Sequence, residues 1–366
     1  MRPFHKFTRS SPAPRCARSS PPLWPSCCSA DVALCTDDEH HAGQPSHLAY
    51  RDHVTVRPDA TGRPGLCSTF CRELREPLAG TAVVASGWVV VEQPGPWGAK
   101  APTHSHLDPE FGGAFDDACK KADVRFGLIR APGRHSDAVE RSHQVYVAST
   151  LPGRSWLLGG RVDDPAALRT LHLDAIARGD RDAVVASLPG LSLVDHPVML
   201  VCTNGKRDEC CALLGRPLVK ALSAAAPGRV WEANHLGGHR FAPTATVLPA
   251  GTMHGHLTAE AAVTVLAAAD RRETVLTGLR GRSTWTQRGQ AAEIAVRRLI
   301  GEVSLDALRV AGEDPEAVTV WHRDGRSWTV PVTSVAADPP RPESCGKEPF
   351  AMSILQAGAP VPGEAR

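Results

Sequence analysis

The sequence predicts an α/β fold in which one order of elements, β-α-β-β-β-α, is used twice. Three observations lead there. Short apolar runs alternate with longer stretches of helical composition, as strands joined through crossover helices do. The same order of runs appears on either side of about residue 195. A chain of 366 residues has room for two domains of ordinary size.

Residues 1–64 are expected to be a disordered tail. Ser, Pro, Arg and His dominate there without apolar periodicity, so burial cannot offset an ordering cost of about 1–2 kcal/mol per residue. Cys16, Cys27, Cys28 and Cys35 fall in this tail and are poorly spaced for a metal. The first half, 65–195, reads as an apolar strand (81–92), a helix (109–122), three strands (124–130, 144–148, 156–162) and a helical segment (165–178). The second half begins at 196 with a buried strand (198–202) and a helix (213–226) that ends near Pro227-Gly228. Strands follow at 230–234, 242–248 and 253–257, and Thr258 is placed to cap a helix to about residue 271. A helix over 290–300 closed by Gly301 and a hairpin around Asp324-Gly325 complete this half at 337. From 338 to 366 proline and glycine return, and the chain is expected to be mostly irregular. The element order is that of a thioredoxin-like fold. The expectation is therefore two thioredoxin-like lobes, descended from a duplication.

Cys202 and Cys211 stand nine positions apart, and His235-Leu236-Gly237-Gly238-His239 follows. Thiolate and imidazole suit zinc or an iron–sulfur cluster rather than calcium or magnesium. A structural zinc site usually draws two thiolates from a tight C-x2–4-C knuckle; the longer loop here favours something larger than one ion. Two glycines between the histidines each cost a helix about 1 kcal/mol, so the pair is expected on a loop whose backbone approaches something closely. In a β-α-β unit the crossover is right-handed and the two parallel strands end at one edge. Cys202 and His235 should therefore emerge side by side, where open α/β sheets commonly bind ligands.

The segment Cys202-Thr-Asn-Gly-Lys-Arg-Asp-Glu-Cys-Cys211, with Trp231-Glu-Ala-Asn-His-Leu-Gly-Gly-His-Arg-Phe241, resembles the sucrase/ferredoxin-like family. The likeness extends through Glu76-Pro-Leu-Ala-Gly-Thr81, Glu92-Gln-Pro-Gly-Pro-Trp97 and Glu343-Ser-Cys-Gly-Lys347, over roughly residues 65 to 350. It implies a thioredoxin-like ferredoxin domain with a [2Fe-2S] cluster held by Cys202, Cys211, His235 and His239. It also implies an electron carrier serving an unidentified reductase or acceptor, rather than an enzyme with its own substrate. Two thiolates and two neutral imidazoles balance the oxidised core's charge, whereas four thiolates would leave a dianion. The potential should then fall at about −150 to +300 mV, the Rieske range, rather than near −400 mV. No spaced carboxylate pair marks a glycosidase.

Two other classes compete: a structural zinc protein with the same four ligands, and a thiol-dependent oxidoreductase using Cys210 or Cys211. The second lacks the C-x-x-C that such chemistry normally wants. A net charge of +2 gives no reason to expect nucleic acid, and no apolar run approaches a membrane span of about 18 residues. Eleven cysteines without a recognisable signal segment point to reduced thiols and a cytoplasmic protein.

Other residues carry plainer expectations. Cys210 is the rival of its neighbour Cys211 as ligand. Cys67-x3-Cys71 has the types for a second metal or redox site, but its lack of partner ligands nearby favours ordinary helix-start cysteines; Cys119 reads as a buried small hydrophobe, and His254 and His256 as surface or core residues. Cys345 sits in a matching motif without assignable chemistry. Arg207-Asp208 suggests a local salt bridge or loop hydrogen bond, and Arg240 a hydrogen bond near the metal.

Overall fold

A computed structural model describes residues 65–133 and 142–363; the expected N-terminal tail and its four cysteines lie outside the described residues. The described chain is a mixed α/β structure with one ten-stranded sheet and a second, five-stranded sheet. After helix α1 (Cys67–Glu73) come β1 (Gly87–Glu92), α2 (Pro109–Lys121), β2 (Val124–Arg130), β3 (His143–Ser149) and β4 (Trp156–Val162). A 3-10 turn (Pro165–Thr170), α3 (Leu173–Arg178), α4 (Arg181–Ser187) and β5 (Ser192–Leu193) close the first half. The second half runs β6 (Val198–Cys202), α5 (Glu209–Ala225), β7 (Val230–Ala233), β8 (Ala245–Leu248), β9 (Thr252–His254), α6 (Ala259–Asp270) and β10 (Leu279–Arg282). Helix α7 (Gln287–Ile300) leads to the smaller sheet of β11 (Leu308–Glu313), β12 (Ala317–His322), β13 (Ser327–Ala336), β14 (Ser353–Ala357) and β15 (Val361–Pro362).

In the large sheet the order is β10-β9-β8-β6-β7-β2-β1-β3-β4-β5. β1 and β2 are parallel, as are β6 and β7, while β3 and β8 add antiparallel beside the first strand of each half. Each half thus places its strands in the order second, first, third, fourth. The halves, expected as two lobes, share one sheet because β2 and β7 pair antiparallel, Ile129 opposite Ala233 and Arg130 opposite Glu232. That pairing gives two otherwise open strand edges a partner. A buried ion pair, Arg130 Nη2 to Glu232 Oε2 at 2.6 Å, crosses the seam.

Several boundaries differ from the sequence reading. The strand expected from residue 81 starts at Gly87, because the preceding backbone turns to β10: Gly80 N donates to Arg280 O at 2.9 Å and Ala85 N to Ser283 O at 2.8 Å. The helical segment at 165–178 splits into a 3-10 turn and α3, with α4 following. Helix α5 begins a turn early, at Glu209, capped by Asp208. The region beyond 338 is not wholly irregular: β14 pairs with β13, and β15 adds a short contact. Thr258 caps α6 and Gly301 ends α7 in a left-handed conformation, both where local chemistry puts them. Helix α7 bridges the two sheets. Its Gln290 is fully buried; its amide accepts from Ala82 N at 3.1 Å and donates to Ala82 O at 3.3 Å, as a strand neighbour would. No helix among the described residues is long and apolar enough to cross a membrane.

Candidate metal centre

Strand β6 is buried along its length and ends on Cys202. Asp208 then accepts a hydrogen bond from Cys210 N at 2.9 Å, which starts α5 and puts both Cys210 and Cys211 in its first turn. Gly215, about one turn on, lets the helix settle on the strand end; a Cβ there would overlap the Cys202 carbonyl oxygen. Successive helical residues point about 100° apart, so the two cysteines leave α5 on different sides. Cys211 meets Cys202 in a wholly buried contact. The S–H of Cys211 pulls the Cys202 thiol well below its ordinary range against the opposing effect of burial, and His235 adds to the pull. Cys211 is pushed up in return.

The histidines arrive from the neighbouring strand. β7 is parallel to β6, with Ala233 opposite Cys202, and His235 lies two residues beyond. Gly237 and Gly238 both take left-handed φ, +86° and +67°, so the loop needs residues without a Cβ. The close approach is to an arginine: a Cβ on Gly238 would strike the Arg280 guanidinium. His239 opens a 3-10 turn to Phe241, and its ring centroid lies 5.6 Å from that of His235.

Two cations hold this loop from behind. Arg280, 1% exposed, donates from Nη1 to Gly237 O at 2.9 Å and from Nε to Thr81 Oγ1 at 3.0 Å, and Nη2 donates to Thr81 O. Arg125 donates from Nη2 to His235 O at 3.0 Å. Burial lowers Arg280 to about 9, which still leaves it charged at neutral pH. Sequence reading gave neither arginine a role; no local signal distinguishes them from the chain's other arginines.

The histidines have unmet polar atoms. His235 Nδ1 and both ring nitrogens of His239 are buried without a hydrogen-bond partner. His239 Nε2 stands 3.7 Å from Asp208 Oδ2, and burial keeps its pKa low despite that carboxylate. An unsatisfied buried polar atom costs about 1–3 kcal/mol, a cost that metal coordination removes. Two thiols and two such imidazoles therefore fit a soft or borderline metal centre.

A second group gives Cys67 partners that the sequence reading, which paired it with Cys71, did not supply. Among the described residues, the one set of three or more His, Cys, Asp or Glu with all ligand atoms within 4.8 Å is Cys67, Asp208, Cys210 and Cys345. Cys210 Sγ lies 3.4 Å from Cys67 Sγ and 3.0 Å from Cys345 Sγ, with 3.6 Å between the latter two. Cys67 is thus no ordinary helix-start cysteine, and Cys345 acquires neighbours. Cys71 instead contacts His256 Nε2 at 3.5 Å. Cys119 is a buried helix residue, pushed up to about 12 by burial. His254 is wholly buried in β9. Of the two readings of Arg207-Asp208 the loop hydrogen bond holds, both amides donating to Asn204 O at 3.1 and 3.2 Å, while Asp208 caps α5 instead of pairing with Arg207; Arg240 pairs with buried Glu76 at 2.7 Å.

A family model described as sucrase/ferredoxin-like matches residues 78–281, more than half of the chain. The match takes in Cys202, Cys211, His235 and His239 and leaves Cys67 and Cys345 outside. No curated protein matches the chain, and no solved structure does.

Proposed function

The chain belongs to the sucrase/ferredoxin-like family, and on that premise we propose that it is an electron carrier whose [2Fe-2S] cluster is held by Cys202, Cys211, His235 and His239. The observation that supports this most is the pattern of gathering. Cys202 and Cys211 touch, His235 lies beside Cys202 and His239 beside His235, yet the four ligand atoms are not drawn within the 4.8 Å that characterises the second group. Such a spread suits a binuclear centre better than one zinc ion. When bound, the cluster supplies one-electron transfer.

The chain's own residues would set how that transfer runs. Cys202 and Cys211 provide two negative charges and the histidines none, so uptake of an electron is opposed less than in an all-thiolate site. Arg125 and Arg280 fix the loop carbonyls of His235 and Gly237, and their positive charges favour the reduced state. The packed β6–α5 junction keeps water from the sulfurs, while half-buried His235 stands nearer solvent. The matching strand orders of the two halves accord with two thioredoxin-like units from a duplication, only the second of which keeps ligands. Electrons would come from a reductase and pass to an acceptor, in a cytoplasmic setting.

Anaerobic purification tests the reading. The protein should be red-brown, with iron and acid-labile sulfide in equal amounts. Colourless protein carrying zinc at these four residues would overturn the cluster in favour of a structural site.

A further inference from the structure

We propose a second metal site, for a single thiolate-bound zinc ion, formed by Cys67 of α1, Cys210 of α5 and Cys345 of the loop after β13, with Asp208 as fourth ligand. The sulfurs stand 3.0, 3.4 and 3.6 Å apart. Zinc–sulfur bonds of about 2.3 Å in a tetrahedron would separate them by about 3.8 Å, so an ion needs the pairs to open by about 0.2 to 0.8 Å, most between Cys210 and the partly exposed Cys345. Asp208 Oδ1 is 3.8 Å from Cys67 Sγ, so the carboxylate completes the set of four.

Two features favour a cation over free thiols or a disulfide. Asp208 has a side chain with no exposure, and among the described residues no lysine or arginine pairs with it; its one basic contact is His239 at 3.7 Å. A buried carboxylate is costly unless a cation compensates it. A disulfide would use two sulfurs, leave the third idle and do nothing for that charge. Asp208 is also held rigidly, accepting from Ser344 Oγ at 2.8 Å, Cys345 N at 2.9 Å and Cys210 N at 2.9 Å, the outer support that metal ligands usually have. Cys345 is partly exposed and offers an entry path. On binding, the three thiols release their protons to solvent and no electron moves.

The site has a structural consequence. It fastens α1 and the loop after β13 to the first turn of α5, segments 143 and 135 residues from Cys210. Cys210 and Cys211 would then hold one centre each on two sides of one helical turn, with Asp208 between them.

Elemental analysis of the full chain, purified after expression with both iron and zinc and dialysed, tests this. About one zinc per chain is expected, beside the iron. Cys345→Ser, on the partly exposed loop, should lower zinc roughly tenfold or more while visible absorption and iron stay. Cys202→Ala should do the reverse, and added cobalt(II) in that colourless variant should give thiolate-to-cobalt absorption. Wild-type protein without zinc, zinc that survives Cys345→Ser, or a Cys210–Cys345 disulfide in peptide mapping would each overturn the site. None of these results bears on the cluster at Cys202, so the two proposals fail separately.

Discussion

The two halves of the large sheet follow one path and end in different chemistry. β1 ends at Glu92 where β6 ends at Cys202. Glu92 is answered: its Oε2 accepts from Gln144 N at 3.1 Å and lies 3.7 Å from Arg161 Nη2. At the end of β2, Arg130 is held by Glu232 at 2.6 Å and stacks 4.4 Å over Trp97. The corresponding edge of the second half presents two touching thiols and imidazole nitrogens without partners. Topology supplies the edge in both halves. Whether the edge binds anything depends on whether its polar atoms are already satisfied.

The largest expected effect breaks this comparison outright. Cys202→Ala and Cys211→Ala should each abolish visible absorption in anaerobically purified protein, whereas Glu92→Gln at the matching strand end and Cys210→Ala should leave it. A coloured Cys211 variant beside a colourless Cys210 variant would reverse the choice of neighbour.

Next comes acid stability, where the halves should part. His254 in β9 is wholly buried, and burial lowers it from 6.5 to about 4; no histidine described in the first half is buried. Below pH 6.5 the unfolded chain takes a proton that the folded state refuses, so stability is present above that pH and falls toward pH 4. The loss is about 3 kcal/mol at about 1.36 kcal/mol per unit. Urea unfolding at a series of pH values should show this slope, and His254→Gln should reduce it to the share carried by half-buried His256, which burial also lowers to about 4. An unchanged slope in that variant would mean another group carries the acid sensitivity.

A smaller effect probes how α5 meets the sheet. Gly215→Ala places a methyl against the Cys202 carbonyl, and overpacking of this kind costs about 1–3 kcal/mol. Chemical denaturation should show that loss. Gly190→Ala in the first half, where a Cβ meets nothing within 4 Å, should cost less and only through its left-handed backbone at φ +101°. Equal losses would show that the helix shifts freely.

The finest test concerns the imidazoles. If a ligand histidine exchanges a proton with water on reduction, the potential should fall with rising pH by at most about 59 mV per unit. His235→Cys adds a thiolate and removes a titrating ring, so its potential should be lower and its pH profile flatter. Arg280→Met should lower the potential by removing a buried positive charge. A wild-type potential that ignores pH from about 6 to 10 would argue that the rings do not exchange protons.

Much of this arrangement was legible in sequence because its causes are local. Strand β6 reads from five consecutive apolar residues, the α6 cap from Thr258, and the loop character of residues 235–239 from Gly237 and Gly238. The early start of α5 is not legible because Arg207-Asp208 reads equally as an ion pair or a loop hydrogen bond, and neither reading marks Asp208 as a cap. That one turn matters, since it carries Cys210 and Cys211 on the helix. Arg125 and Arg280 were invisible, since nothing in a lone arginine tells which backbone carbonyl it will meet.

The sequence by itself determined the alternation of elements, the spacing of Cys202 and Cys211, and the pair His235 and His239, because strand period, helix capping and ligand chemistry act over a few residues. Only the tertiary structure decided that β2 and β7 would join the halves into one sheet, and that Cys67 and Cys345 would meet at Cys210 from 143 and 135 residues away. Such meetings depend on how whole faces pack and on which strand edges find partners. Three cysteines scattered across the chain carry no spacing from which their convergence can be read.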